Sequence, residues 1–290
     1  MGGGFVMYSD LNHFLEDMRS KTIEEQKMMI NALNFGQLSQ VINFLKEPFF
    51  TNKLKDYLLD STLPDIKSKE FLFLVQAEKY NGNIVRKFMN EADISNYYLD
   101  KFINKYQLKK ISSGMYIFPH KTLDAPFLFQ SQYSKAVISH ETALYMLDLS
   151  DVIPRHTIMS MPKDYKLSQI EKNANRYMKI YDGLYNNNKS LIISYPENDP
   201  ILLTRNAPID SAQIVLKKTM NNNPVRVTSA EKTIADVLAP NSTTEEEVKY
   251  EALKKYYDLH PRDSKRLRRI AQKQGVLKVL DKYLWELKLG

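Results

Sequence analysis

Residues able to read or grip a nucleic acid gather between Ser95 and Ser113. The Asn96 amide can hold an adenine edge through two hydrogen bonds. Tyr97 can meet a phosphate or a base methyl group, with Ser95 before it and Tyr98 after it. Lys101, Lys105, Lys109 and Lys110 are cations that can neutralise phosphates, and Ser112 and Ser113 add hydroxyls. The chemistry is recognition: contacts to base edges specify a sequence, and contacts to phosphates hold the register.

Such residues work together only on a rigid frame, and the flanking sequence predicts one. Glu70–Tyr80 places Phe71, Leu74, Val75 and Glu78 on one helical face. Asn81-Gly82-Asn83 is a turn signal. A short second helix is expected from Ile84 to Asn90, with Ile84, Val85 and Phe88 inward. Glu91–Ile94 is a tight turn, and Ser95 stands where an N-cap belongs. The third helix, Asn96–Tyr106, aligns Leu99, Phe102, Ile103 and Tyr106 at i, i+3, i+4 and i+7. That stripe turns Asn96, Tyr97, Asp100, Lys101, Asn104 and Lys105 outward. Lys109–Ile111 and Met115–Phe118, joined by Ser112-Ser113-Gly114, read as a two-stranded hairpin with Ser112 and Ser113 at its tip. The order is that of a winged helix-turn-helix, whose third helix fits a DNA major groove. Helix-turn-helix units also occur as plain packing elements. Charge favours the first reading, because residues 66–121 hold ten Lys/Arg and five Asp/Glu.

The whole chain has 290 residues and a net charge of +7. Residues 1–65 come to −3, residues 66–121 to +5, residues 122–251 to −2 and residues 252–290 to +7, so two basic blocks flank a near-neutral middle. Such asymmetry points to a polyanionic partner. There is no cysteine, which excludes a disulfide scaffold, a thiolate zinc site and a cysteine nucleophile. No apolar run approaches the ~18 residues of a membrane span, and no signal peptide is apparent. The cytoplasm is the expected location.

The remaining elements divide the chain into a helical N-terminal extension (1–65), the winged helix-turn-helix (66–121) and an α+β C-terminal domain (122–290). The fold class is α+β. In the first part Thr22 and Glu25 have capping-box spacing, and helices are expected around Leu11–Met18, Leu38–Leu45 and Leu54–Leu59. Residues 121–130 read as a linker containing Pro126. Ser139 is the expected N-cap of a helix reaching Leu147. Strands are expected at Thr157–Met161, Tyr177–Tyr185, Leu191–Tyr195, Ile214–Leu216 and Val225–Val227. A helix capped by Thr228 or Ser229 follows, and then three more, of which Pro261–Gln274 carries Arg262, Lys265, Arg266, Arg268, Arg269 and Lys273.

Catalytic patterns are scarce. The five histidines are scattered, and none has the i, i+4 spacing of a helical zinc site. His140 and Glu141 are neighbours on a helix and so face different ways. Asp148 with Asp151, or Asp199 with Asp210, are loop carboxylates of a common kind. No phosphate-binding glycine loop and no Gly-x-Ser-x-Gly elbow is present. No catalytic residue, metal or cofactor is assigned, and the chain is expected not to be an enzyme.

Larger blocks carry a family likeness. A helix-turn-helix ends in Ile111-Ser112-Ser113-Gly114-Met115-Tyr116-Ile117-Phe118-Pro119. After it come Ala136–Pro154, His156–Pro162 and Val225–Leu238. The most specific pieces are Ile138-Ser139 through Leu149 and Val227–Asp236. This succession, over about residues 68–240, resembles the AbiEi antitoxins of bacterial abortive-infection toxin–antitoxin pairs. The family more often has Pro and Arg where this chain has Ala230 and Lys232. The resemblance implies an antitoxin that counteracts a toxin of the nucleotidyltransferase class and represses its own operon at inverted repeats in promoter DNA. It implies that the winged helix binds DNA and that the C-terminal domain carries antitoxicity. Arg262, Lys265, Arg266, Arg269 and Lys273 are the candidate partner-binding face. The competing readings are a nucleic-acid-processing enzyme that binds its substrate through the winged helix, and a transcription regulator with no toxin partner.

Overall fold

A computed structural model describes residues 21–31, 54, 56–58, 64–65, 67–172, 175, 177–185, 188–206, 209–240, 242–259 and 264–288. The expected helices around Leu11–Met18 and Leu38–Leu45 lie outside these residues. The fold is α+β, with helices and two separate sheets. The described residues form two compact units. One comprises residues up to Lys79 together with Phe88–Gln107, and the other Tyr80–Lys87 together with Leu108 onward.

In the first unit, α1 (Ile23–Asn31) opens on the expected capping box. The Thr22 amide donates to Glu25 Oε2 at 2.9 Å and the Glu25 amide to Thr22 Oγ1 at 3.4 Å. α2 (Lys69–Lys79) buries Phe71, Leu72, Phe73, Leu74, Val75 and Ala77. Five consecutive buried residues surround the helix axis, so α2 is enclosed rather than one-sided. α3 (Arg86–Glu91) is a short helix that buries Met89. A turn with Asp93 at φ 63° leads to α4 (Asn96–Lys105). Leu99, Phe102 and Tyr106 are buried as the spacing requires. Phe73 holds them by stacking on Phe102 and Tyr106, with ring centroids 5.0 and 5.9 Å apart. The Tyr106 hydroxyl donates to Glu70 at 2.5 Å, and Lys69 pairs with Asp93.

The second unit begins with a three-stranded sheet in the order β1-β3-β2. These strands are β1 (Asn83–Val85), β2 (Lys109–Ser112) and β3 (Met115–Ile117). Ile84 and Val85 therefore belong to a strand and not to the expected second helix. Their branched side chains suit a pleated sheet, and Val85 pairs with Met115 and Asn83 with Ile117. The expected two-stranded hairpin gains this third strand. α5 (Ala125–Gln132) replaces the expected linker. Proline is compatible with the first turn of a helix, and Asp124 caps it by accepting from the Phe127 amide at 3.3 Å.

Beyond α5 lies a seven-stranded mixed sheet in the order β6-β7-β8-β5-β4-β10-β9. Its strands are β4 (Val137–Ile138), β5 (Thr157–Pro162), β6 (Lys179–Tyr185), β7 (Asn188–Ser194), β8 (Ile201–Asn206), β9 (Ile214–Lys218) and β10 (Pro224–Thr228). β8 was not foreseen, yet it pairs along its whole length with β5 in parallel. Ile201, Leu202, Leu203 and Thr204 are buried in an unbroken row, the run of an inner strand covered on both faces rather than an alternating one. The helices are α6 (His140–Met146), α7 (Ser168–Glu171), α8 (Ala230–Val237), α9 (Glu246–Leu259), α10 (Ser264–Lys273) and α11 (Leu277–Glu286). Leu144, Ile234, Leu238, Leu253, Tyr256, Leu267, Leu280 and Leu284 join α6 and α8–α11 in one apolar core. No helix among the described residues is long and apolar enough to cross a membrane.

Candidate nucleic-acid interface

The buried stripe of α4 sets what the helix presents. Ser95, Asn96, Tyr97, Tyr98, Lys101 and Lys105 are all exposed. Tyr98 leans on Phe102, with ring centroids 6.2 Å apart, and Tyr97 meets Tyr98 edge-on at 5.4 Å. Tyr98, less exposed at 38%, thus props Tyr97, which stays 74% exposed. Ser95 has the extended backbone of an N-cap, but its side chain makes no capping bond. Lys105 is already committed, since its ammonium lies 2.5 Å from Glu70. Burial works to raise the Glu70 carboxyl. Hydrogen bonds from Lys105 and Tyr106 and the charges of Lys105 and Lys101 outweigh it, and the group sits below its ordinary range.

On the hairpin, Lys109 and Lys110 are exposed and have no ion-pair partner among the described residues. They stand opposite Ile117 and Tyr116, just before a bulge that re-aims β2. Ser113 is exposed, but Ser112 is 5% exposed and donates to Gln132 at 3.3 Å. Ser112 is a core hydroxyl and not part of the tip, because the bulge turns its side chain inward. Arg86 escaped notice in the sequence. It donates to the Tyr116 hydroxyl at 3.1 Å and lies 5.9 Å from that ring, a cation held on the sheet that carries Lys109 and Lys110. Its signal was weak, since a lone arginine inside an expected helix marks no sheet.

The two most specific motifs of the sequence meet inside the second unit. β4 and β10 run parallel, with Val227 beside Ile138, so Ser139 and Ser229 begin α6 and α8 from adjacent strand ends. Ser229 caps α8 by accepting from the Lys232 amide at 3.4 Å. Ser139 occupies the N-cap position of α6 but spends its hydroxyl elsewhere, on His140 Nδ1 at 2.9 Å and Ser160 Oγ at 2.7 Å. Ser160 continues to Thr204 at 3.3 Å. His140 is buried with φ 53°. Burial lowers its pKa, although Asp236 and Glu141 pull the other way. Glu141 points elsewhere and accepts from Thr244 at 2.5 Å. Lys232 and Asp236 form a buried ion pair one helical turn apart. Ser139, His140, Ser160, Lys232 and Asp236 are all buried and form an internal polar frame.

His140 makes that frame sensitive to acid. Its pKa is depressed in the folded state, so the unfolded chain binds the extra proton first. Stability is therefore full above the ordinary histidine range near 6.5 and falls as pH drops below it. The expected slope for this one proton is at most about 1.4 kcal/mol per pH unit. Urea titrations between pH 7.5 and 5.5 check it. His140→Asn, which tolerates the left-handed backbone, is expected to flatten the dependence.

Carboxylates gather elsewhere. Asp148, Asp151, Glu197 and Asp199 line an open groove of about 1340 Å³, together with Tyr145 and Ile153. Asp151 pairs with Lys255 at 2.8 Å. Asp210 sits apart and caps the short turn Ser211–Gln213. Among the described residues, no group of three or more potential ligands is placed to hold a metal ion.

The basic C-terminal face is divided in its tasks. Arg262 lies outside the described residues. Arg266 donates to the Ala212 carbonyl at 2.8 Å and lies 3.6 Å from Glu231, so it is largely a structural clasp. Arg268 pairs with Asp281 at 2.8 Å. Lys265, Arg269 and Lys273 are exposed and have no ion-pair partner among the described residues. No family model matches the chain, and no curated protein matches it at a significant level.

Proposed function

We propose that this chain is a DNA-binding antitoxin, a non-enzymatic cytoplasmic repressor of its own operon that counteracts a nucleotidyltransferase-type toxin. The observation that carries the DNA half is α4. One side of it is fixed by Leu99, Phe102 and Tyr106 on Phe73, and the other presents Ser95, Asn96, Tyr97 and Lys101 to solvent. A helix with an immobile back and a polar N-terminal front is what major-groove reading requires. Chain continuity from α4 into the Lys109–Lys110 strand, on a sheet that also holds Arg86, supports a winged helix-turn-helix with phosphate contacts on its wing. The antitoxin half rests on the family resemblance of residues 68–240, whose signature residues build the buried frame of the second unit.

Growth of a bacterium expressing the adjacent gene tests the antitoxin half. Co-expression of the full chain is expected to restore growth, and Lys109→Ala/Lys110→Ala is expected to restore it equally while losing repression. Failure of the wild-type chain to rescue would remove the toxin partner and leave a plain regulator.

A further inference from the structure

The C-terminal helix pair carries a surface that the promoter-binding reading does not use. α10 and α11 repeat one pattern. Leu267, Ile270 and Ala271 are buried on α10, and Leu280, Tyr283 and Leu284 on α11. The Arg268–Asp281 bridge ties the two helices at the rim of that buried seam. At 3.6 residues per turn, Lys265, Arg269 and Gln272 fall within about 100° of Arg268 on the side away from the seam. Lys278, Lys282 and Trp285 fall within about 100° of Asp281 on theirs. The exposed sides of both helices therefore lie next to one another across the bridge.

The composition of this face is specific. Trp285, the one tryptophan of the chain, is 79% exposed. Lys265, Arg269, Lys273 and Lys278 are exposed cations on the same two helices, with no ion-pair partner among the described residues. Two carboxylates are close and both are engaged. Asp281 is held by Arg268, and Glu286 accepts from Tyr250 and lies 3.8 Å from Lys282. From Ser264 to Glu286 the balance is seven Lys/Arg to two Asp/Glu. Leaving a large ring in water costs free energy that a partner can recover. A cationic track beside a bare indole is the arrangement that takes an unpaired strand, phosphates on the cations and a base stacked on the ring.

We infer that the α10–α11 face binds single-stranded nucleic acid, with Trp285 as the stacking platform and Lys265, Arg269, Lys273 and Lys278 along the backbone track. A duplex hides its base faces, so this site discriminates against the double-stranded promoter that α4 would read. The inference uses other residues than the promoter-binding proposal, and either can fail alone.

The test uses the full chain and fluorescein-labelled oligo-U and oligo-dT of about 12 nucleotides, with a duplex of equal length. Because Trp285 is the sole tryptophan, its emission reports this face and nothing else. Binding of a single strand is expected to quench it. Trp285→Ala is expected to weaken single-strand affinity about tenfold. Lys265→Ala/Arg269→Ala/Lys278→Ala is expected to lower the salt slope by about 2. All four side chains are exposed, so the variants are expected to keep the wild-type melting temperature. Stronger binding of oligo-U marks RNA as the natural ligand, and stronger binding of oligo-dT marks DNA. Three outcomes overturn the inference. They are unchanged tryptophan emission at saturating oligonucleotide, equal affinity in Trp285→Ala, and single-strand binding that is lost in Lys109→Ala/Lys110→Ala but not in the α10–α11 variants.

Discussion

Asp236→Ala is expected to cost the second unit about 3–5 kcal/mol, enough to consume much of an ordinary domain's stability. Lys232 and Asp236 have side chains only 4% and 2% exposed. Asp236 Oδ1 also accepts from Gln274 at 2.9 Å and from Asn206 at 3.3 Å. Truncation strands a buried ammonium and two amide donors at once, and each unmet group carries its full desolvation cost. The pair is not ideally satisfied, since Asp236 Oδ2 and Gln274 Oε1 are buried with no hydrogen-bond partner. Replacing both charges with apolar groups leaves no buried charge unpaired, although the two amides still lose their acceptor. Lys232→Met/Asp236→Leu is therefore expected to be more stable than either single change, by about 2 kcal/mol or more. Urea midpoints of wild type, Asp236→Ala, Lys232→Met, Asp236→Leu and the double variant give the answer. A single Asp236→Ala costing under about 1 kcal/mol would show the pair to be solvated rather than buried.

The second large effect concerns DNA. Asn96→Ala is expected to reduce preference for the operator over a scrambled duplex by about ten- to a hundredfold, the worth of one bidentate base contact. Lys109→Ala/Lys110→Ala is expected to act differently. It weakens both duplexes alike and lowers the slope of log K against log salt by about 1.8, because two phosphate contacts go and no base contact does. Lys105→Ala is expected to change the slope less than Lys109→Ala, since Lys105 spends its charge on Glu70. Anisotropy titrations at several salt concentrations separate these outcomes. Equal slopes for wild type and the double variant would remove the hairpin from the interface.

Local patterns in the sequence carried much of this structure, and their failures have physical causes. The spacing of Leu99, Phe102 and Tyr106 sufficed to orient α4, because a helix stripe is set by neighbours in the chain. The capping residue Thr22 was legible for the same reason, and the cap of α8 was narrowed to Thr228 or Ser229, of which the structure uses Ser229. Ile84 and Val85 were misassigned because their strand exists only through pairing with Met115–Ile117, some 30 residues away. β8 went unseen because an inner strand buried on both faces does not alternate. α5 was hidden by Pro126, which reads as a breaker yet fits a first turn. In the candidate interface, exposure of Ser95, Asn96, Tyr97 and Lys101 followed from the stripe alone. The burial of Ser112 did not, because a bulge in β2 shifts the alternation by one residue. Nor did the Lys105–Glu70 pair, which joins two helices.

The central claim, that α4 and the hairpin recognise a specific duplex, is tested most directly with DNA from immediately upstream of the chain's own gene. Full-length protein is titrated against that duplex and against a scrambled duplex of equal length and composition, at near-physiological salt. Binding to the upstream duplex at least about a thousandfold tighter than to the scrambled one is the predicted result. Equal affinity for the two, or no binding to either, would contradict it.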